Sequence, residues 1–280
     1  MNAPRRTLLR ALLAAALVGL LGGCASQLGT VAGTGDGALD RQLERIEHDR
    51  TPTLQPRRIF IGLALNSRAG VFDADVRLMD RTLRALYGTN YRSILLSNLR
   101  IHSSDRELPL ASIEHVDQVF AALQRIRRPD DRFIVLLSTH GTRGLLEVEQ
   151  PALYPTPRSL PSRKLAGWMS QLEPNRGWLM ISACYSGSHL PVLTQPHLLA
   201  MTAASDQRSS FGCSTRDKNT WFVHELAASL REGGSFGQLW QRTQERIAAR
   251  ERANKLLASE PQRRYGSALS GLDAVALTDF

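Results

Sequence analysis

The run Trp178-Leu179-Met180-Ile181-Ser182 is short and lacks polar alternation. Bounded by turn signals, it suits a strand covered on both sides, as in a parallel sheet flanked by helices. It stops at Ala183-Cys184-Tyr185-Ser186-Gly187, a small residue, a thiol and a Ser-Gly turn signal. One cysteine therefore sits just past the carboxyl end of a buried strand, where open α/β sheets build their sites. A site there needs a base, oxyanion donors and a cleft from the rest of the chain.

Similar runs recur. Residues 59–65 end in Asn66-Ser67-Arg68, residues 133–139 in His140-Gly141, and residues 198–203 run into Ser205-Asp206; residues 91–97 form a further strand. Residues 71–86, 113–126 and 162–172 carry helical apolar spacing, residues 220–230 and 236–258 follow as helices, and 145–148 is a short strand or hairpin arm. This alternation predicts an α/β fold with a mainly parallel sheet and helices on both faces. The expected domain covers residues 57–258; with 42% hydrophobic residues the chain can bury one full core. Residues 24–56 shift to Gly, Thr, Ser and charge and are expected to be a flexible tether. Within them, 38–49 is read as a short helix outside the core. Residues 259–280 show little pattern and are expected to be a tail.

Arg5, Arg6 and Arg10 precede an apolar run at 11–21 that is too short to span a bilayer comfortably, so residues 1–23 read as an export signal. The end of that run, Leu21-Gly22-Gly23-Cys24, resembles the bacterial lipobox. The resemblance implies that Cys24 is lipidated and anchors the mature chain to the cell envelope. The lack of an aspartate after the cysteine leans toward the outer membrane, facing the periplasm. An ordinary secretory signal with an incidental cysteine is the alternative, and Arg5-Arg6-Thr7-Leu8-Leu9 matches a twin-arginine signal only weakly. The formal charge of +9 includes those three arginines. The remaining excess is scattered, as in Arg57-Arg58 and Arg263-Arg264, with no aromatic-basic motif; this argues against nucleic acid as a partner.

In a parallel sheet the ends at Asn66, His140, Cys184 and Ser205 share one edge, with neighbouring strands about 4.8 Å apart. Cys184 and His140 are natural candidates for nucleophile and base. A thiol is mostly protonated at neutral pH and needs an imidazole to take or share its proton. His140 can then return a proton to a leaving amine. Gly141 has no side chain, so its N–H can approach an oxyanion together with the N–H of Cys184. Gly187 is expected to turn the chain away and leave the cleft open. Taken alone, a cysteine after a strand is often core, and a His-Gly is often a turn; the pair at matching positions carries the argument. His189, five residues after Cys184, is the nearest competing histidine. The cysteines show no close paired spacing and there is no H-x-x-x-H, so neither metal nor cofactor is expected. No G-x-S-x-G surrounds Ser186, which argues against a serine hydrolase. A structural disulfide between Cys184 and Cys213 is the rival reading in an oxidising envelope.

Ser138-Thr139-His140-Gly141 and Ser182-Ala183-Cys184-Tyr185-Ser186-Gly187 together resemble the legumain-like family of cysteine peptidases, relatives of the caspases. The resemblance spans about residues 57–230. It implies a caspase/legumain-like three-layer αβα sandwich, a His140–Cys184 dyad and peptide or protein substrates. In caspases the histidine lies about 50 residues upstream, close to the spacing here. The resemblance further implies that Asn66 orients the histidine and that Arg68 and Ser209 line the primary specificity pocket. Two pocket positions depart from the family: a glutamate is replaced by Ser182, and an aspartate aligns with His224. Losing both acids while keeping an arginine would favour an acidic or neutral substrate side chain.

The resulting expectation is an envelope-anchored cysteine endopeptidase acting through a thioester acyl-enzyme. Cys184, His140, Gly141 and Asn66 form its centre, with Arg68, Ser182, Ser205, Asp206, Ser209 and His224 facing substrate. The alternatives are a transpeptidase using the same dyad and a non-catalytic lipoprotein using a degenerate fold for binding. The oligomeric state is left open.

Overall fold

Continuous burial on both faces turns the apolar runs into the strands of one sheet. The computed structural model describes residues 37–50, 55–99, 108–150, 156–172 and 176–280. Residues 1–23, expected to be an export signal, and Cys24, expected to be lipidated, lie outside them. The main strands are β1 (Arg58–Ala64), β2 (Tyr91–Ser97), β3 (Arg132–Ser138), β7 (Gly177–Ser182), β8 (Leu198–Thr202) and β9 (Gln262–Tyr265). They pair in the order β2-β1-β3-β7-β8-β9, parallel throughout except for β9, which runs antiparallel to β8. A small antiparallel sheet, β4 (Gly141–Thr142), β5 (Leu145–Val148) and β6 (Arg158–Pro161), follows the end of β3.

Even-numbered strand residues such as Phe60, Ile134, Leu136, Trp178 and Met180 pack into one core cluster. Its cover comes from α2 (Val71–Tyr87), α5 (Trp221–Arg231) and α6 (Phe236–Ala253), through residues such as Val76, Leu226 and Leu239. Ile61, Leu63, Val135, Leu137, Leu179 and Ile181 are also fully buried, so the opposite face needs its own cover. That layer is α1 (Gly37–Glu47), α3 (Ile113–Ile126) and α4 (Ser162–Leu172), which contact one another; Phe120 stacks on Trp168 at 5.4 Å. The architecture is the expected three-layer αβα sandwich with a mainly parallel sheet.

Two expected boundaries are corrected. Helix α1, placed in the tether by its single apolar stripe, buries Leu39, Leu43 and Ile46. Its Gln42 amide donates to the Leu95 carbonyl at 3.1 Å and accepts from the Leu95 N–H at 2.8 Å. One side chain thus satisfies both backbone groups of a residue on the edge strand β2, where a further strand would otherwise pair. The expected tail also belongs to the domain. It supplies β9, and Phe280 is fully buried beside Trp178 and Phe236, with ring centroids 6.0 and 5.4 Å away. Buried Arg58 donates to the Phe280 and Thr278 carbonyls, fastening the segment to the start of β1.

Candidate active site

Register brings the site together. Ser138 on β3 is the parallel partner of Ser182 on β7, and the ladder continues one step as the Thr139 N–H donates to the Ser182 carbonyl at 3.1 Å. His140 and Cys184 each stand two residues beyond that pair. Gly141 lies tightly against the Cys184 backbone: a Cβ there would be 2.8 Å from the Cys184 carbonyl oxygen and 3.1 Å from the Ala183 Cβ. Only a residue without a side chain fits this approach.

Both side chains belong to the α2/α5 side of the sheet. The His140 ring meets Phe72 of α2 edge-on at 5.0 Å. The Cys184 sulfur lies 3.7 Å from the Ser210 carbonyl and 3.7 Å from the Ser210 hydroxyl, and Cys213 packs on the same core cluster. Cys184 and Cys213 are both free thiols, so the disulfide reading is not realised. A hydrogen bond from Cys213 draws the Cys184 thiol well below the usual cysteine range, with further help from Ser210 and Ser209 against the opposing effect of burial. The same contact, with burial, pushes Cys213 up, so the negative charge settles on Cys184.

The turn after Cys184 is made by Tyr185, not by Gly187. Tyr185 is left-handed, at φ 55° and ψ 21°, held by its N–H to the Arg208 carbonyl at 2.8 Å and by the Ser188 hydroxyl on its own carbonyl at 2.6 Å. An L-residue in that region costs on the order of 1 kcal/mol, which this surrounding network sustains. Gly187 serves close packing: a Cβ there would be 2.8 Å from the Asp206 nitrogen.

The other expected site residues divide. Ser209 stands beside the sulfur. Asn66 is fully buried, but its amide donates to Glu147 at 2.5 Å and accepts from the Arg68 N–H at 2.9 Å, in place of the expected bond to His140. Glu147, missed by sequence reasoning, lines with His140 and Gly141 a cavity of about 340 Å³ that also reaches Arg158. Arg68 is exposed and pairs with Glu149 at 3.4 Å. Burial pushes Glu149 up, but the Ser67 hydroxyl and N–H and Arg68 outweigh it and hold the carboxyl below its usual range. Arg68 thus has a carboxylate partner of its own while its side chain stays largely exposed. His224 is half-exposed on α5 and bonds Glu225 at 3.0 Å. The polar neighbour of Ser182 is Thr220 instead, at 2.8 Å between hydroxyls. Ser205 is buried and donates to Glu260 at 3.1 Å, while Asp206 is exposed and its carbonyl accepts from Arg143 at 2.9 Å. These last two form the wall behind Gly187.

His189, the competing base, is fully buried; its Nδ1 lies 2.7 Å from the Ser162 hydroxyl of α4, on the opposite layer, and burial lowers its pKa to about 4. No group of His, Cys, Asp or Glu among the described residues is placed to hold a metal ion.

Solved structures similar to this chain include caspase-1 from Spodoptera frugiperda, with 17% identity, a TM-score of 0.49, and coverage of 78% of this chain and 91% of that one. No curated protein matches. The model of the peptidase C13 family matches residues 119–266, just over half the chain, taking in β3, β7, His140 and Cys184. The strand ends that carry the thiol and the imidazole thus fall inside the matched segment, and the chain belongs to the peptidase C13 family.

Proposed function

We propose that the protein is a cysteine endopeptidase in which Cys184 is the nucleophile and His140 the acid and base. The observation that carries this reading is the parallel Ser138–Ser182 pairing, with both chemical residues two positions beyond it on the same side of the sheet. The Cys184 thiolate attacks the scissile carbonyl carbon, and the carbonyl electron pair moves to oxygen. The N–H groups of Gly141 and Cys184 receive that oxyanion; such donors typically lower a barrier by roughly 2.7–4 kcal/mol each. His140 protonates the departing amine as the C–N bond breaks, leaving a thioester on Cys184. Water then attacks the thioester, His140 takes its proton, and the acid product leaves with the thiolate regenerated.

Hydrogen bonds from Cys213, Ser210 and Ser209 support the reading, since they favour the thiolate form of Cys184 before substrate arrives. The small sheet bearing Glu147 and Arg158 forms one wall of the substrate cleft. Turnover of a fluorogenic peptide library by the purified protein is the test. Cys184→Ala and His140→Ala should each abolish it, and iodoacetamide should label Cys184 first. Full turnover by Cys184→Ala would remove the assignment.

The envelope location rests on Arg5, Arg6, Arg10, the apolar run and Leu21-Gly22-Gly23-Cys24. The anchor reading expects fatty-acid incorporation in the intact chain that Cys24→Ala eliminates; incorporation by that variant would contradict it.

A further inference from the structure

We propose that Asp75 is a positioning residue of this site: its buried carboxyl ties the carboxyl ends of β3 and β7 to the start of α5, fixing His140 and Cys184 relative to one another. The proposal rests on the reading of those two residues as the dyad.

Asp75 is fully buried on the face of α2 that also buries Phe72, Val76 and Met79. One carboxyl oxygen accepts from the Thr220 N–H at 3.0 Å and the Asn219 amide at 2.9 Å. The other accepts from the Ser138 hydroxyl at 2.7 Å and the Thr220 hydroxyl at 2.7 Å. Because the Thr220 hydroxyl spends its proton on Asp75, the Ser182 hydroxyl donates to Thr220 across their 2.8 Å contact. The hydrogen bonds therefore run from Ser182 to Thr220 to Asp75, and from Ser138 to Asp75. Thr220 is also the N-cap of α5, accepting from the Val223 N–H.

The end of β3 and the cap of α5 thus meet on one side chain directly, and the end of β7 joins them through Thr220. The two serines so gathered are the register pair that precedes the dyad, and Phe72, one turn back on the same helix, meets the His140 ring. All four groups bound to Asp75 are neutral, so it forms no ion pair that would offset the burial of its charge. Burying a carboxyl is costly, and an apolar residue would serve packing better. What the carboxyl supplies is four acceptor positions directed at two backbone segments, Ser138 and Asn219-Thr220, with Ser182 of β7 joined through the Thr220 hydroxyl, at the last paired rung of β3 and β7.

The test compares Asp75→Ala, Asp75→Asn and Ser138→Ala with the wild type in peptide turnover, in iodoacetamide labelling of Cys184, and in folded fraction by near-ultraviolet circular dichroism. Asn keeps one acceptor oxygen for the Thr220 and Asn219 donors, and the two hydroxyls can rotate to accept from its amide. Asp75→Ala should lower kcat at least tenfold with KM within twofold, and change the labelling rate several-fold. Asp75→Asn should restore kcat to within threefold of wild type. Ser138→Ala should lower kcat severalfold, and the Asp75→Ala/Ser138→Ala pair should be no worse than Asp75→Ala alone, the mark of residues acting together. Unchanged kcat in folded Asp75→Ala overturns the proposal, as does a loss matched by the unfolded fraction. If Asp75→Ala does not fold, an unchanged kcat in folded Ser138→Ala overturns it. Absence of turnover in the wild type removes the dyad reading instead; positioning is then judged on Cys184 labelling, and equal rates in wild type and variants overturn it.

Discussion

Replacing Asp75 with asparagine should change how stability depends on pH. Burial is the largest influence on this carboxyl and outweighs all its hydrogen bonds, raising its pKa from 3.8 to about 7. Between those values the folded protein holds a proton that the unfolded chain releases. Stability from this group is therefore fully present below pH 3.8 and is lost as pH rises through about 7. A shift of about three units at 1.36 kcal/mol each amounts to about 4 kcal/mol across the window. Asparagine has the same shape and does not titrate. Relative to wild type, Asp75→Asn should gain up to about 4 kcal/mol between pH 4 and pH 8, or roughly 8–16 °C in Tm for a domain of this size. Other acids titrate in both proteins, including Glu149, whose depressed pKa acts in the opposite direction; subtracting the two curves isolates Asp75. Urea unfolding followed by circular dichroism at four or five pH values measures the difference. Stability curves that run parallel from pH 4 to pH 8 would refute the reasoning.

Three further outcomes follow from other contacts. Cys213→Ala removes the largest influence lowering Cys184, so the midpoint of its alkylation pH profile should move up. Below the midpoint each unit costs tenfold in thiolate but returns about threefold in intrinsic nucleophilicity, a net slowing of about threefold per unit; an unmoved midpoint contradicts the assignment. Gly141→Ala places a methyl group 2.8 Å from the Cys184 carbonyl, so the strand ends must part. We expect kcat to fall at least tenfold and stability by about 1–3 kcal/mol, read by turnover and urea titration. Gln42→Ala leaves the Leu95 N–H and carbonyl without their side-chain partner and should cost about 1–3 kcal/mol in urea unfolding while peptide turnover stays within twofold.

The strands were legible because burial on both faces writes itself into composition: residues 133–137 and 178–181 are almost wholly apolar. The positions of His140 and Cys184 were legible for the same reason, since a parallel sheet brings equivalent ends together without help from side chains. The supports were not, because they depend on which polar group meets which. Gln42 lies on the helix read as outside the core, yet it satisfies an edge strand. His224 was aligned to the pocket, while Thr220, one helical turn earlier, faces Ser182. Asp75 did leave a trace: it is an acid beside Phe72, Val76 and Met79 on the apolar stripe of a helix, where an unpaired carboxyl would be prohibitive. Such an acid implies donors arriving from elsewhere in the chain, though spacing along α2 cannot say that they come from Ser138 and Thr220. Apolar periodicity thus locates the Cys184 thiol and the His140 imidazole to within a strand end. The hydrogen bonds that hold those ends together come from residues 63 and 145 positions away from Asp75, a distance that no local pattern spans.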